Sequence, residues 1–245
     1  RAVDIEFPEA IDPRLVAARL IDLSANRDGF IADLSPAGRP GAMLVGSSPE
    51  VLVKRQGSTV SAFPLAGSSP RRASAAEDHL AGQDLLHSSK DLHEHAFVVD
   101  HLRRALTPLC ERLDIPDVPQ LISTNEMWHL GTPISGTLKD KDLTALELAL
   151  AVHPTPAICG TPAEAAQALI ETAETDRGFY AGAVGWCDSS GDGEFMVAIR
   201  CAEVAGDGLS ARAWAGGGIV GDSDAQAELE ETTAKLRTIL KALSL

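Results

Sequence analysis

Residues 181–215 read AGAVGWCDSSGDGEFMVAIRCAEVAGDGLSARAWA, and the reading of this stretch decides the fold class. Ala181–Cys187, Phe195–Val204 and Leu209–Ala215 are apolar or alternating runs. Between them stand Asp188-Ser189-Ser190-Gly191-Asp192-Gly193 and Gly206-Asp207-Gly208, clusters of residues that favour tight turns. Three strands joined by two short turns predict a β-meander. A helix from about Ser223 follows, with Leu229, Leu236, Leu240 and Leu243 as its expected buried stripe. Glu228, Glu231 and Lys235 lie at i, i+3 and i+7 and so share a different face.

Upstream, strands and helices alternate irregularly. Met43–Val45, Val51–Lys54 and Thr59–Phe63 read as short strands. Ser74 to about Arg112 reads helical with an interruption near Ser88-Ser89, and Leu92, His95, Ala96, Val99, Leu102, Leu106 and Leu109 keep a helical period. Gln120–Ser123 and the stretch through Gly136 read as extended. Leu143–Val152 and Pro162–Glu174 read as helices, with Pro162 suited to a first turn. Without regular βαβ alternation, the mixture predicts an α+β class.

With 245 residues the chain is long enough to bury a sizeable core in one large domain or two small ones, and a net charge of -14 argues against a nucleic-acid partner. An anionic ligand would need local positive charge from a metal, Arg or Lys. Apolar runs are too short to cross a bilayer and no basic, apolar leader opens the chain, so a cytoplasmic location is expected. Cys110, Cys159, Cys187 and Cys201 have no zinc spacing and read as reduced, buried fillers.

The acidic pairs Asp91/Glu94 and Glu228/Glu231 each lie at i, i+3, on one helix face. Taken singly, each is more simply a solvated face or a helix-dipole complement. Brought together, the two faces would form an oxygen-rich pocket that needs a hard cation such as Mg²⁺. Asp188 to Gly193 mimics the start of a calcium loop, but Ile199 stands where the bidentate Glu is required, so a turn is the better reading. His93-Glu94-His95 is not a zinc motif, because the two histidines do not share a face. Gly216-Gly217-Gly218 is either a turn or a place where backbone approaches a ligand, and the residues alone split these evenly. Arg200, behind an apolar run, needs a partner. Glu50 can be read as an ordinary turn carboxylate, and His129 and Tyr180 are more often packed residues with satisfied polar tips than catalysts.

The ordered set of segments resembles the chorismate-utilising enzymes, which include anthranilate, aminodeoxychorismate, salicylate and isochorismate synthases. The matching stretches are Ser48-Pro49-Glu50, Pro64 to Ser68, Ser89-Lys90-Asp91 through Glu94-His95, and His153-Pro154-Thr155-Pro156-Ala157 with Gly160. Tyr180 to Asp188, Ala198-Ile199-Arg200, Ala215 to Val220 and Glu228 to Lys235 complete it. No single motif is specific; their order along the chain is. The resemblance implies large antiparallel sheets flanked by helices, chorismate as substrate and Mg²⁺ as cofactor. It implies Glu94 and Glu231 as direct metal ligands, with Asp91 and Glu228 holding metal-bound water; Asp91 departs from the Glu of several relatives. Arg200, Tyr180, Lys235, Ala157, Ser68 and the amides of Gly67, Gly216 and Gly218 correspond to substrate-binding elements. Glu50 corresponds to the general acid and His129 to a histidine beside the reacting ring.

The implied reaction is attack of water at C2 of chorismate with loss of the C4 hydroxyl, giving isochorismate. The water-activating base of hydroxylating relatives is a Lys on a strand that Arg1-Ala2-Val3-Asp4 would continue, so it is expected before Arg1. The 245 residues are accordingly expected to be the central and C-terminal part of a single catalytic domain, inactive or nearly so alone, and monomeric. Ala66 excludes the lysine-nucleophile route of one aminodeoxychorismate synthase type. Ala157, where salicylate-forming relatives have Thr, favours release of isochorismate. Salicylate formation, an ammonia-dependent anthranilate synthase component I, and a chorismate-fold binding protein without turnover stand as alternatives.

Overall fold

A computed structural model describes residues 1–24, 27–221 and 223–244. Its strands form three antiparallel sheets. The first has the order β1 (Ala2–Glu6), β14 (Ser210–Trp214), β13 (Cys201–Val204), β3 (Met43–Gly46), β2 (Phe30–Asp33). The second runs β11 (Ala183–Cys187), β12 (Gly193–Val197), β4 (Val51–Gln56), β5 (Thr59–Phe63), β10 (Ile134–Leu138), β7 (Cys110–Asp114). The third is β6 (Leu65–Pro70), β9 (Met127–Gly131), β8 (Gln120–Ser123). The α+β expectation holds.

Helices cover the sheets. α1 (Pro13–Leu23) and α6 (Ala225–Ala242) bury Val16, Leu20, Leu236 and Ile239 against Val45, Val204 and Ala213 of the first sheet. α3 (Ser89–Leu106) and α4 (Ala145–Val152) bury Leu102, Leu106, Leu148 and Val152 against Leu52, Val60 and Val197 of the second. α2 (Ala75–His87) packs on the third sheet, and Gly82 lets Leu121 and Trp128 approach it. α5 (Ala163–Ala173) buries none of its residues. Helix starts follow the local chemistry. The Ser88 hydroxyl accepts from the Asp91 amide at 3.3 Å, Asp224 accepts from the Ala227 amide at 2.9 Å, and Thr144 and Glu147 form a reciprocal capping box.

Several expectations are corrected. The helix ends at Leu106, and Cys110–Asp114 is a strand paired with β10. Pro162 occupies the cap of α5, not its first turn. Leu229 is 47% exposed, and Ala234, Ile239 and Ala242 fill the buried stripe of α6 beside Leu236. In α3, Ala96 is exposed while Val98 is buried. Cys187 is exposed and Cys159 half-buried; all four thiols are free.

The meander is also corrected, and this correction builds the site. Phe195–Val204 is not one strand: β12 lies in the second sheet and β13 in the first, and the chain crosses over at Ala198–Arg200. Arg200 takes φ +52°, an uncommon conformation for a side-chain-bearing residue. β3 and β4 make the same switch through Ser47–Glu50. The two crossovers run side by side, tied by Val197 N–H to the Glu50 carbonyl (3.1 Å) and Ser47 N–H to the Arg200 carbonyl (3.2 Å).

Candidate active site

Where the two crossovers meet, a cleft opens between β6, β9, α3, α6 and the glycine loop after β14. Glu50, Gly67, Ser68, Glu94, His129, Ala157, Tyr180, Arg200, Gly216, Gly218 and Lys235 all line it. Of the expected site residues, Asp91, Glu228 and Glu231 do not line it and stand behind it on α3 and α6.

Glu50 is only 4% exposed. Burial pushes its pKa up to about 7, opposed by the Leu65 amide and by the charges of Lys235 and Arg200. At neutral pH a large share of Glu50 is therefore a protonated acid. Arg200 is buried beside it. Among the described residues it makes one side-chain hydrogen bond, to His129 Nε2 at 3.4 Å, and no ion pair. Burial lowers its pKa, but a guanidinium stays charged. His129 is held neutral, first by burial and then by Arg200 and Lys235. Because the guanidinium only donates, Nε2 accepts and Nδ1 carries the proton toward Ser68 Oγ at 2.9 Å. Burial raises Tyr180 to about 12, so its hydroxyl stays protonated. The ring stacks on Trp214 with centroids 6.0 Å apart.

Lys235 donates to the Gly216 carbonyl at 3.0 Å and pairs with Glu231 one turn earlier on α6. Lys90 spans from α3 to Glu228 at 2.9 Å, and Ser223 also donates to Glu228, at 2.8 Å. Asp91 accepts from the Ser88 hydroxyl at the start of α3. Glu94 differs from these three. Among the described residues it accepts no hydrogen bond, and its pKa rises to about 7, mainly by burial and then by repulsion from Glu231. Among the described residues no three His, Cys, Asp or Glu side chains stand together as a ready cation cage. The lysines answer Glu228 and Glu231 instead. The donor set still fits a hard cation: it is all oxygen, and the charges of Lys235 and Lys90 only partly offset the burial and the repulsion from Glu231 that crowd Glu94.

The glycine loop earns its composition here. A Cβ on Gly218 would lie 2.4 Å from Glu94 Oε1, and one on Gly217 would lie 3.0 Å from Glu228 Oε2 and 3.3 Å from Glu231 Oε1. Residues 216–218 form no turn, and their backbone runs close against the carboxylates of α3 and α6.

Two cations went unforeseen. Arg177 lines the cleft, donating to the Ile158 carbonyl at 2.9 Å and pairing with Glu174. Lys90 bridges the two acidic helices. The only available cue for either was the demand for positive charge in an acidic chain. The mimic of a calcium loop is a turn: the Asp188 carboxylate accepts from the amides of Ser190 (2.8 Å) and Asp192 (3.1 Å), and Asp192 pairs with Arg55.

Comparison with known proteins places the fold. The chorismate binding enzyme family profile matches residues 1–244. The chain is 46% identical over 99% of its length to isochorismate synthase DhbC of Bacillus subtilis and 40% identical over 100% to isochorismate synthase EntC of Escherichia coli K12. It superposes on the crystal structure of DhbC from Bacillus anthracis with a TM-score of 0.96 at 44% identity, covering 100% of the chain. It spans 61% of each of the two sequence relatives and 65% of that structure. No helix among the described residues is long and apolar enough to cross a membrane. A cleft that sets a buried acid beside a buried arginine, on a fold shared with these relatives, leads to one assignment: the chain belongs to the chorismate binding enzyme family.

Proposed function

We propose that this protein converts chorismate to isochorismate. The observation that carries the reading is Glu50, a buried acid with a pKa near neutrality, facing the same cleft as Arg200, which forms no ion pair among the described residues. Arg200 and Lys235 attract the substrate's carboxylates, and the amides of Gly67, Gly216 and Gly218 bind them by hydrogen bonds. Glu50 donates its proton to the C4 oxygen as the C4–O bond breaks, while water adds at C2 and gives up a proton. One water enters and one leaves, so substrate and product are isomers. Neutral His129 keeps Arg200 aimed through its Nε2 and borders the ring. Tyr180 presents a protonated hydroxyl.

Glu94 and Glu231 are proposed to hold Mg²⁺, with Asp91 and Glu228 behind them on the same helix faces. When bound, the ion would neutralise a substrate carboxylate and stabilise the charge that develops as the hydroxyl leaves. Lys90 pairs with Glu228 and Lys235 with Glu231. Among the described residues Lys235 is the only lysine bordering the cleft, and it is engaged by the Gly216 carbonyl and Glu231. The resemblance implies a water-activating lysine on the continuation of β1 before Arg1, and it is proposed to lie there; the Arg1 carbonyl accepts from the Ala215 amide at the cleft rim.

The test is product analysis. The protein extended upstream through that strand is incubated with chorismate and Mg²⁺, and the products are separated by chromatography and identified by mass. Isochorismate without salicylate, lost on adding EDTA, supports the reading. Salicylate with pyruvate moves the protein to the eliminating branch. No turnover overturns the enzymatic reading.

A further inference from the structure

We propose that His95 is a positioning residue that fixes the Ala66–Gly67 peptide and so aims the Gly67 amide at a carboxylate of the bound substrate. The proposal rests on the chorismate reading above. His95 follows Glu94 on α3 but points away from the cleft, into the contact between α3 and β6, and is buried. Its Nδ1 lies 3.1 Å from the Ala66 carbonyl oxygen, and its Nε2 lies 2.7 Å from Thr132 Oγ1. A carbonyl only accepts, so Nδ1 carries the proton; Nε2 then accepts from the threonine hydroxyl. Both ring nitrogens are committed, and the ring cannot rotate without breaking one bond.

The peptide it holds needs holding. Pairing between β6 and β9 steps from Leu65–Gly131 to Ser68–His129, which leaves Ala66 and Gly67 in a bulge opposite Leu130. Gly67 adopts φ +78°, and a Cβ there would lie 3.0 Å from Asp91 Cβ and 3.2 Å from Leu130 Cδ1. A glycine in a bulge lacks both ladder restraint and side-chain restraint, so its preceding peptide can turn over at little cost. In a trans peptide the carbonyl and the following N–H point in opposite directions. With the Ala66 oxygen held toward α3, the Gly67 N–H points to the opposite side, where Gly67 borders the cleft with Glu50, His129 and Lys235. Were the peptide to turn over, a carbonyl oxygen would face the incoming carboxylate instead of a donor. His95 thus couples the helix that carries Glu94 to the loop that receives the substrate.

The test compares the upstream-extended protein with its His95→Leu, His95→Asn and Thr132→Val variants. Asn offers a donor near the position of Nδ1, whereas Leu fills the space without one. His95→Leu is expected to raise KM for chorismate about tenfold or more, as for loss of a hydrogen bond to a charged group, with a smaller fall in kcat. His95→Asn is expected to recover most of that loss. Thr132→Val removes the partner of Nε2 and leaves the Ala66 bond, so it should lower Tm while leaving KM within about threefold. Affinity for Mg²⁺ alone, measured by calorimetry, should stay unchanged in His95→Leu. Equal defects in Leu and Asn, a KM rise in Thr132→Val matching that of His95→Leu, or a lost Mg²⁺ affinity would each overturn the positioning role. Failure of the unsubstituted protein to bind or convert chorismate would instead overturn the reading on which it rests, and the proposal with it.

Discussion

Glu50 and Arg200 reach one cleft from two neighbouring strand crossovers that are hydrogen-bonded main chain to main chain. β3–β4 and β12–β13 each leave one sheet for another, and the residue at the end of each switch is the charged one. Inside a strand, either side chain would point into an apolar core. At the crossover it points into the gap between sheets, where a ligand can answer it. The architecture therefore produces a buried acid beside a buried cation without a dedicated loop.

The first prediction concerns Glu50 and pH. A carboxyl with a pKa near 7 is protonated below that value and ionised above it. Catalysis that needs its proton should fall as pH rises above about 7, approaching tenfold per pH unit in kcat/KM. Glu50→Gln should lower kcat by about 10²–10⁴ and abolish this limb. Stability has its own sign. The folded state retains a proton that the unfolded carboxyl loses above its ordinary value of 4.5. This group therefore subtracts stability progressively between about pH 4.5 and 7, and the full cost remains above that. At pH 8, Glu50→Gln should be the more stable protein, by up to about 3 kcal/mol. Urea titrations of both proteins at pH 5 and pH 8 measure the difference.

The glycine loop gives the second. Gly218→Ala places a methyl carbon against Glu94 Oε1. The obstructed atom is the far end of a flexible side chain, so the fold should accommodate it with less than about 1 kcal/mol of loss. The carboxylate, however, must swing from its place. Thermal unfolding should be nearly unchanged while Mg²⁺ affinity falls about tenfold or more, as for loss of a charge-assisted contact. Calorimetric Mg²⁺ titration beside a melting curve separates the two effects.

Relief of crowding at Glu94 supplies the third. Its raised pKa comes from burial and from Glu231. Removing the charge in Glu94→Gln should raise Tm in EDTA at pH 8 by a few degrees, roughly the shift expected for about 1 kcal/mol. Adding Mg²⁺ should reverse the order, because only the unsubstituted protein gains binding free energy. A Glu94→Gln variant that is stabilised by Mg²⁺ as much as its parent would remove Glu94 from the metal site.

Much of this was legible in the sequence, and what was not has physical causes. Strand positions and the α+β class follow from alternation and turn residues, which are local signals. The i, i+3 acidic pairs fall on α3 and α6 as helical geometry requires. The crossover at Ala198–Arg200 was invisible, because both sides of it are equally apolar: Val197 and Cys201 are each fully buried, in different cores. Nothing in a sequence reports that Arg200 has a positive φ. Lys90 and Arg177 were missed because their partners, Glu228 and the Ile158 carbonyl, are distant in sequence or part of the backbone. Periodicity also overreaches in α6, where Leu229 keeps the helical spacing yet is exposed.

That last error yields a test of packing. Leu229 and Leu236 sit two turns apart on α6, yet Leu229 is 47% exposed and Leu236 1%. Leu236 packs with Ile239, Leu20 and Val45 between α1, α6 and the first sheet. Leu236→Ala would leave a cavity lined by side chains that cannot collapse fully, at a cost of about 2–5 kcal/mol. Leu229→Ala removes mostly solvated surface, and alanine is the better helix former, so stability should change by less than about 0.5 kcal/mol. Urea midpoints of the two variants at equal m-values decide the matter. Similar losses would mean that the N-terminal turns of α6 are packed as tightly as the rest, contrary to the exposed Leu229.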